Sequence, residues 1–315
     1  MTNAPILVGG EALYDLVAAA DGSLSGHPGG GPFNTARTIG RLRQPVAYLG
    51  RLSTDRLGTT HEQMLADAGV DLSATQRTDE PSTLALASLD DEGVASYSFY
   101  AAGTAAPGLT PATALAALPL RVAALHVGTL GLVLEPLAAA LEAVVARLAG
   151  RTMVVVDPNV RPWVIDAPAV YRTRLEHVLQ MADVVKVSEE DLAWLDPQRP
   201  AAEAARTLLE YGPQVVLLTQ GPAGATIVSP RGDTIVAPVE VEVVDTIGAG
   251  DAFGGGFLAW WSSHGLGRDE LVRDGLVVEA ARFAAVVAAR TVGAAGASPP
   301  ALPADAPIPL DLRSL

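Results

Sequence analysis

The sequence predicts an α/β fold, a doubly wound and mainly parallel β-sheet with a second, smaller β-sheet beside it. Short β-branched runs alternate with longer stretches rich in Ala and Leu along most of the 315 residues, which is typical of β-α-β units. Two segments instead pair strand patterns across turn residues, which is typical of antiparallel hairpins. We therefore expect one domain over residues 1–315, from which the smaller sheet projects as a lid.

The alternation of strands and helices is clearest in the middle of the chain. Strand patterns at Val122–Val127, Met153–Val156 and Val184–Val187 enclose helical patterns at Pro136–Leu148 and Val170–Met181. Each of these strands is expected to lie parallel to its neighbour, joined to it by a crossover helix. The remaining predicted elements are two strands and two C-terminal helices: Val215–Leu218, Val239–Val244, Ala252–Ser262 and Glu270–Ala289.

The lid is predicted from two segments, at about residues 12–26 and 84–100. Each contains residues typical of tight turns next to β-branched or aromatic runs, and the second alternates apolar and polar residues as a sheet with one wet face does. Such a sheet can close over a cleft or join two subunits, and both uses stay open. The strand candidates are Ala12–Val17, Leu84–Leu89 and Val94–Tyr100, and the turns are Asp21-Gly22 and Asp90-Asp91-Glu92-Gly93.

Composition and charge exclude several function classes. The chain carries 21 Lys and Arg against 35 Asp and Glu, a net charge of −14 that repels nucleic acid and anionic lipid. It contains no cysteine, which excludes disulfides, thiolate metal sites and cysteine nucleophiles. Charged residues interrupt the apolar region Leu115–Leu148, and no Lys or Arg precedes Arg37. We expect a soluble cytoplasmic protein without nucleic-acid or membrane partners.

The strongest chemical motif is the Gly-rich turn Gly248-Ala249-Gly250-Asp251, which follows a strand pattern and opens a helical one. Glycines let backbone N–H groups approach a ligand closely, and the positive end of a helix dipole favours an anion there. Asp251 in the first turn would then be a carboxylate able to take a proton from an attacking hydroxyl. The alternative is an ordinary turn in which Asp251 only caps the helix.

Two other phosphate-binding motifs fit this sequence poorly. The turn misses the dinucleotide pattern G-x-G-x-x-G because Phe253 occupies the third glycine's place. The single lysine, Lys186, does not follow a Gly-rich loop, which excludes a Walker A motif and a protein-kinase lysine motif. A nicotinamide enzyme is therefore disfavoured. If the protein transfers phosphoryl groups, it does so on a fold other than those of P-loop enzymes and protein kinases.

The segment Asp245–Asp251 resembles the C-terminal signature of the ribokinase-like (PfkB) carbohydrate kinases, and Gly29–Asn34 resembles their N-terminal sugar-binding turn. Two separated signatures are far more specific than one, and the resemblance extends over about the whole chain. Further segments match in order: Gly10–Asp15, Gly50–Gly58, Asp157–Arg161, Lys186–Glu190 and Thr219–Gly224.

The resemblance implies a role for each matching residue of the acceptor and phosphoryl sites. A carboxylate and an amide suit recognition of sugar hydroxyls, and a glycine turn lets a sugar ring come close. The sugar-binding residues would be Asp15, Gly30 and Asn34, the anion hole would be Gly248, Ala249 and Gly250, and Asp251 would be the catalytic base.

The resemblance also implies binding of ATP and Mg²⁺. Arg161 ends the segment Asp157–Arg161, which is similar to a segment of fructokinases and 2-keto-3-deoxygluconate kinases. It would hold a substrate carboxylate, serve the nucleotide phosphates or make a structural ion pair, and these alternatives stay open. The residues matching the family's nucleotide site are Lys186, Thr219, Gly221 and Gly224.

Several positions depart from the family pattern. Ser188 and Asp191 replace an Asn and a Glu that often organise Mg²⁺, so Asp191 is the candidate metal residue. Ala285 stands where an Asn often lies near the nucleotide base, and many relatives bind a monovalent cation such as K⁺ close to the residue matching Asp245. Phe33, next to the sugar-binding Asn, would reshape the pocket.

The resemblance implies an ATP-dependent sugar kinase, a phosphotransferase that moves the γ-phosphoryl group to a hydroxymethyl oxygen. The opening Gly10–Leu16 looks most like the fructokinase form, which makes fructose the leading acceptor. The alternatives are 2-keto-3-deoxygluconate, ribose and nucleosides. A catalytically silent sugar sensor is the non-enzymatic alternative, and pairing of two lids into a homodimer is a further expectation.

Overall fold

The computed structural model describes residues 4–18, 22–89, 95–297, 299–301 and 308. The strands are β1 Ile6–Gly9, β2 Leu13–Ala18, β3 Leu24–Gly29, β4 Val46–Leu49, β5 Arg51–Ser53, β6 Gln76–Thr78, β7 Leu84–Leu89, β8 Ala95–Tyr100, β9 Ala124–Gly128, β10 Met153–Asp157, β11 Val184–Ser188, β12 Val215–Thr219, β13 Ala225–Ser229 and β14 Gly232–Val236. The helices are α1 Gly31–Arg41, α2 Arg56–Asp67, α3 Pro111–Ala116, α4 Leu137–Leu148, α5 Pro168–Leu179, α6 Glu189–Leu195, α7 Ala201–Leu208, α8 Ala249–Ser263 and α9 Asp274–Val292.

An eight-stranded sheet forms the centre of the fold, in the order β14-β13-β12-β11-β10-β9-β1-β4. The six strands β12, β11, β10, β9, β1 and β4 pair in parallel, whereas β13 and β14 form an antiparallel edge. Strands β1, β9 and β10 are buried along their whole length, as expected for β-branched strands covered on both faces. The predicted α/β fold with a mainly parallel sheet is confirmed.

Helices cover both faces of this sheet. Along β1, Ile6 and Val8 pack on one side with α1, α8 and α9, whereas Leu7 packs on the other side with α4 and α5. This alternation follows from the period of two along a strand. The sheet therefore holds the first turns of α1 and α8 on the same face.

A four-stranded sheet in the order β3-β2-β7-β8 lies beside the main one. Strand β2 pairs antiparallel with β3 and parallel with β7, and β7 pairs antiparallel with β8. The predicted strands at residues 12–17, 84–89 and 94–100 correspond to β2, β7 and β8. Of the predicted turn residues, Asp21 and those at 90–93 lie outside the described part of the chain.

The predicted strand Val239–Val244 is wrong, because this segment has no regular secondary structure. Its valines alternate with glutamates like a half-buried strand, but no neighbouring strand pairs with it among the described residues, and its last amide, on Val244, donates instead to the carbonyl of Val292 at the end of α9. The predicted helix Glu270–Ala289 is divided into a short 3-10 helix, Arg268–Val272, and the longer α9.

Within the described residues, no helix is both long enough and apolar enough to cross a membrane.

Substitution of Gly255, where α8 crosses α1, should destabilise the fold. A Cβ atom on Gly255 would lie 2.7 Å from Cβ of Thr38 and 3.1 Å from the carbonyl oxygen of Thr35. Overpacking should outweigh the gain in helix propensity, so Gly255→Ala should lower the free energy of unfolding by about 1–3 kcal/mol. Urea denaturation measures this change.

Gly275 on α9 provides the matched control, because a Cβ there meets no atom within 4 Å. Gly275→Ala should be neutral or stabilising by no more than about 1 kcal/mol. Equal unfolding free energies for the two alanine variants would contradict the packing argument.

Candidate active site

The candidate site lies where the central parallel strands end. The segments that follow β1, β9, β10 and β11 meet the first turns of α1 and α8 at this edge of the sheet. Hydrogen bonds connect these segments to one another: Gly131 to Glu11, Asn159 to Thr129, and Val160 to Asp191. The carboxyl edge of a parallel sheet is where ligands bind in open α/β folds. The topology therefore brings together segments that are far apart in sequence.

Asp251 occupies the first turn of α8 and is only 9% exposed. Nδ2 of Asn34 donates a hydrogen bond of 2.9 Å to Oδ2 of Asp251, and Oγ1 of Thr35 donates to its carbonyl oxygen at 3.4 Å. Burial raises the pKa of Asp251, while the hydrogen bond from Asn34 and the charges of Lys186 and Arg161 act in the opposite direction. The structure thus joins the predicted base to a predicted sugar-binding residue.

The other carboxylate oxygen of Asp251 faces a small space in front of Gly31. A Cβ atom on Gly31 would lie 3.2 Å from Oδ1 of Asp251 and 2.6 Å from Oγ1 of Thr129. Only glycine fits here, since any side chain at position 31 would press against Thr129 and the carboxylate of Asp251.

The Gly248–Gly250 turn forms the N-terminus of α8. Gly248 has a φ of 76° in the left-handed region, where glycine is favoured, and it precedes the first helical residue. A Cβ atom on Gly250 would lie 2.8 Å from Nζ of Lys186. The lysine ammonium therefore adds a positive charge to the helix N-terminus, as an anion site requires.

Lys186 makes a buried ion pair with Asp157. Its Nζ donates to Oδ2 of Asp157 at 2.9 Å, and the two side chains are only 5% and 3% exposed. Burial acts to lower the pKa of Lys186, but Asp157 and Asp191 outweigh it and raise that pKa. Burial raises the pKa of Asp157 to about 6, with Lys186 opposing it. Both partners are therefore charged at neutral pH.

The sugar-binding residues predicted from the sequence surround the start of α1. Gly30 has a φ of 109°, and a Cβ there would lie 2.6 Å from the carbonyl oxygen of Glu11. Asp15 extends from β2 so that its Oδ2 occupies the space next to Gly29. Asp15 is exposed to solvent, but neighbouring residues remove part of its hydration and raise its pKa to about 6. The charge of Arg161 partly opposes this rise.

Arg161 lies in the loop after β10. Its Nη1 donates to the carbonyl oxygens of Asn159 and Val160 at 3.2 and 3.1 Å, and its guanidinium lies 5.8 Å from the ring centre of Trp163. Its charge partly opposes the rise in the pKa values of Asp15 and Asp251. Arg161 is therefore close enough to both carboxylates to influence their charge state.

The predicted nucleotide-binding residues beyond Lys186 lie at the end of β12 and in the turn that follows. Oγ1 of Thr219 donates to the carbonyl oxygen of Val187 at 3.3 Å, which links β12 to β11. Gly221 and Gly224 have φ values of 52° and 94°. The two glycines give a tight turn next to the lysine-bearing strand, and the described hydrogen bonds do not join it to the Asn34–Asp251 pair.

Both predicted metal residues already accept hydrogen bonds. Asp191 accepts at Oδ1 from the amide of Val160, and at Oδ2 from the amide and hydroxyl of Ser188, which forms a capping box at α6. Asp245 accepts from the amides of Ile247 and Gly296, each at 2.9 Å. Their metal roles stay predictions, and in the described ranges no three His, Asp or Glu side chains group as a metal site.

The sequence prediction missed Glu11, whose carbonyl oxygen lies against Gly30 in the predicted sugar-binding turn. Glu11 is fully buried, its Oε2 accepts from the amide of Gly131 at 2.9 Å, and its Oε1 has no partner in the part of the chain that the structure describes. Burial raises the pKa of Glu11 to about 8. A carboxylate directly after an apolar strand of a parallel sheet was the available signal.

Comparison with known proteins identifies relatives over nearly the whole chain. The family profile described as pfkB family carbohydrate kinase matches residues 3–305. A fructokinase from Rhizobium leguminosarum bv. trifolii is 35% identical over 258 residues, which cover 81% of this chain and 78% of that enzyme.

Solved structures of sugar kinases share this fold. The fructokinase from Vibrio cholerae bound to fructose, ADP and calcium superimposes with a TM-score of 0.82 at 27% identity, covering 94% of this chain and 95% of that one. A double mutant of that fructokinase contains fructose, ADP and potassium, with a TM-score of 0.80, 27% identity and 94% of each chain covered. The aminoimidazole riboside kinase from Salmonella enterica, bound to aminoimidazole riboside and an ATP analogue, has a TM-score of 0.80 at 25% identity, covering 93% and 95%.

Glu11→Gln should change how stability depends on pH. The pKa of Glu11 is raised from its ordinary 4.5 to about 8 in the folded chain. Between these two pH values the unfolded chain loses the proton and the folded chain keeps it, so the free energy of unfolding falls as pH rises, by up to about 1.4 kcal/mol per pH unit. Glutamine does not ionise and should remove this dependence. Urea denaturation at several pH values from about 6.5 to 8 measures the difference.

The buried histidines do not obscure this window. The pKa values of His61 and His126 are lowered from 6.5 to about 4 and 3, so they affect stability with the opposite sign and only below about pH 6.5. Glu240→Gln, at an exposed loop position, should follow the parent protein at every pH. Parallel pH curves for Glu11→Gln and the parent would contradict the buried-acid interpretation.

Proposed function

The chain belongs to the pfkB family of carbohydrate kinases, phosphotransferases with an alcohol group as acceptor, and on this premise we propose that it is an ATP-dependent fructokinase. The observation that carries the proposal is the buried Asp251, which is hydrogen-bonded to Asn34 at the end of a glycine turn that also meets Lys186. This arrangement supplies a base, an anion site and an acceptor-binding side chain within one cleft.

Each of these residues has a defined task in phosphoryl transfer. Asp251 accepts the proton of the acceptor hydroxyl as its oxygen bonds to the γ-phosphorus and the bond from that phosphorus to the bridging oxygen of ADP breaks. The amides of the Gly248–Gly250 turn stabilise negative charge on the transferred group. Lys186 balances part of the phosphate charge from beside Gly250.

The residues near Lys186 fit a magnesium ion held mainly by phosphates and water. Asp157 keeps one buried oxygen, Oδ1, without a partner among the described residues, while Asp191 is the second carboxylate of this area. Magnesium in kinase sites usually takes one or two carboxylates in addition to substrate phosphates. When bound there, it neutralises charge that develops on the phosphates.

Fructose is the acceptor that the relatives support best, because the fructokinase from Rhizobium is 35% identical and the Vibrio structure contains fructose. A second candidate is 2-keto-3-deoxygluconate, whose carboxylate the Arg161 charge would favour. Ribose and nucleosides are less favoured acceptors than these two, although the Salmonella relative binds a riboside.

Three accessory features complete the proposal. A monovalent cation such as K⁺ would bind near Asp245, as the potassium-bound relative suggests. The lid would close over the sugar and pair with a second copy, since Leu24 and Tyr100 leave 64% and 55% of their surfaces exposed on it. The protein would act in the cytoplasm, where ATP is available.

A panel of acceptors tests the assignment. ADP release with Mg²⁺ and ATP is measured for fructose, 2-keto-3-deoxygluconate, ribose and adenosine, with and without K⁺. Turnover with the highest kcat/KM on fructose is the expected result, and preference for the ketodeoxy acid would transfer the assignment to the second candidate. Sugar binding without ADP formation would instead identify a sensor.

Asp251→Asn should abolish most of the turnover. Loss of a general base lowers kcat by about a hundredfold or more, whereas the amide still accepts a hydrogen bond from Asn34 and preserves the site. Steady-state kinetics give kcat, and intrinsic Trp fluorescence follows sugar and ATP binding.

Asp67→Asn, at an exposed position on α2, is the control and should keep the parent's kcat. An Asp251→Asn enzyme with more than about a tenth of the parent's kcat would exclude Asp251 as the base.

A further inference from the structure

Arg37 is a buried cation on the helix that carries Asn34. Its side chain is only 7% exposed, and its guanidinium lies 5.2 Å from the ring centre of Phe33. Nη1 donates to the carbonyl oxygen of Ala297 at 3.1 Å, while Nε has no partner within the described ranges. The ion pairs among the described residues do not include Arg37. Burial and the neighbouring Arg41 lower its pKa to about 10, so it remains charged at neutral pH.

The carbonyl group that Arg37 binds belongs to the segment after α9, residues 293–297, which we call the C-terminal loop. This loop contacts the strand-to-helix turn at the anion hole in two ways. The amide of Gly296 donates to Oδ2 of Asp245 at 2.9 Å. Cβ of Ala297 lies 2.7 Å from where a Cβ on Gly248 would be. The loop thus packs directly against the first residue of the anion hole.

Fold stability alone gives little reason for a guanidinium at this position. Removing a cation from water costs several kcal/mol, and one neutral carbonyl together with the ring of Phe33 compensates less than a carboxylate would. Well-packed apolar side chains in place of buried charged groups are often neutral or stabilising. What the Arg37 side chain does specifically is to connect α1 to the C-terminal loop.

We propose that Arg37 is a positioning residue for phosphoryl transfer, which holds the C-terminal loop against Gly248 so that the amides of the Gly248–Gly250 turn keep their orientation. Helix α1 then fixes both halves of the reaction centre. Asn34 holds the carboxylate of Asp251, and Arg37, three residues further on, holds the loop behind the anion hole. The kinetic part of this proposal rests on the proposed kinase function.

Two substitutions separate positioning from simple structural support. Arg37→Met keeps an unbranched apolar side chain and removes the charge and the donor, so the melting temperature should stay equal or rise. Its kcat on the best acceptor should fall by about tenfold or more, while the dissociation constant for the sugar stays within about threefold. Arg37→Lys keeps a charged donor and should restore part of the kcat.

Hydrogen exchange on the full chain supplies a readout that needs no substrate. Amides in the peptide covering residues 291–297 should exchange faster in Arg37→Met by roughly tenfold or more, because the loop has lost its attachment to α1. Arg282→Met, which removes an exposed arginine of α9 paired with Glu279, should leave exchange, melting temperature and kcat unchanged.

The outcomes either support or overturn the positioning role. Faster exchange of residues 291–297 together with reduced kcat and preserved sugar binding supports it. Exchange at the parent's rate overturns it, as does an unchanged kcat in a loosened loop. A parallel loss of melting temperature, sugar binding and kcat would show a structural role only. If the parent phosphorylates no sugar, the exchange experiment still decides whether Arg37 holds the loop, and the kinase proposal fails separately.

Discussion

The hydrogen bond between Asn34 and Asp251 joins residues 217 positions apart and sets the relation between two helix N-termini. The first turn of α1 presents Asn34, which we propose to bind the acceptor, and the first turn of α8 presents the proposed anion hole and base. Close approach of these helices requires glycines, because a Cβ on Gly31 or Gly255 would contact side chains of the opposite wall. The positions of Asn34 and Asp251 therefore depend on one interhelical packing arrangement.

The cleft contains more acidic than basic groups, which is an unusual environment for a polyphosphate. Burial reduces the conflict at Glu11, because it raises the pKa of this carboxyl to about 8. Glu11 is then mostly neutral near pH 7, so its carboxyl adds little repulsion. The positive contributions, Lys186 and the N-terminus of α8, lie together where the proposed mechanism places the transferred phosphate. A chain with a net charge of −14 thus concentrates its attraction for anions in one small region.

The sequence predicted the main sheet well, because buried parallel strands appear as continuous β-branched runs such as Val184–Val187. It failed at Val239–Val244, where alternation alone does not show whether a partner strand is available. Residues within family motifs, such as Asn34 and Asp251, were predicted together because both signatures are local. The contact of Arg37 with Ala297 spans 260 residues, and no local pattern contains it. Similarly, the raised pKa of Glu11 depends on complete burial, which follows only from the packed fold.

The environment of Asp251 suggests how a buried carboxylate accepts a proton at the right moment. In the structure, burial raises its pKa, and Asn34, Lys186 and Arg161 oppose that rise. Phosphate charge arriving next to Gly250 would be balanced by Lys186, so less of the lysine's positive potential would reach Asp251. The loss of that opposing effect would raise the pKa of Asp251 further once the substrates are in place. Proton acceptance would then become more favourable as the acceptor oxygen attacks, while Asn34 keeps the carboxylate aimed at it.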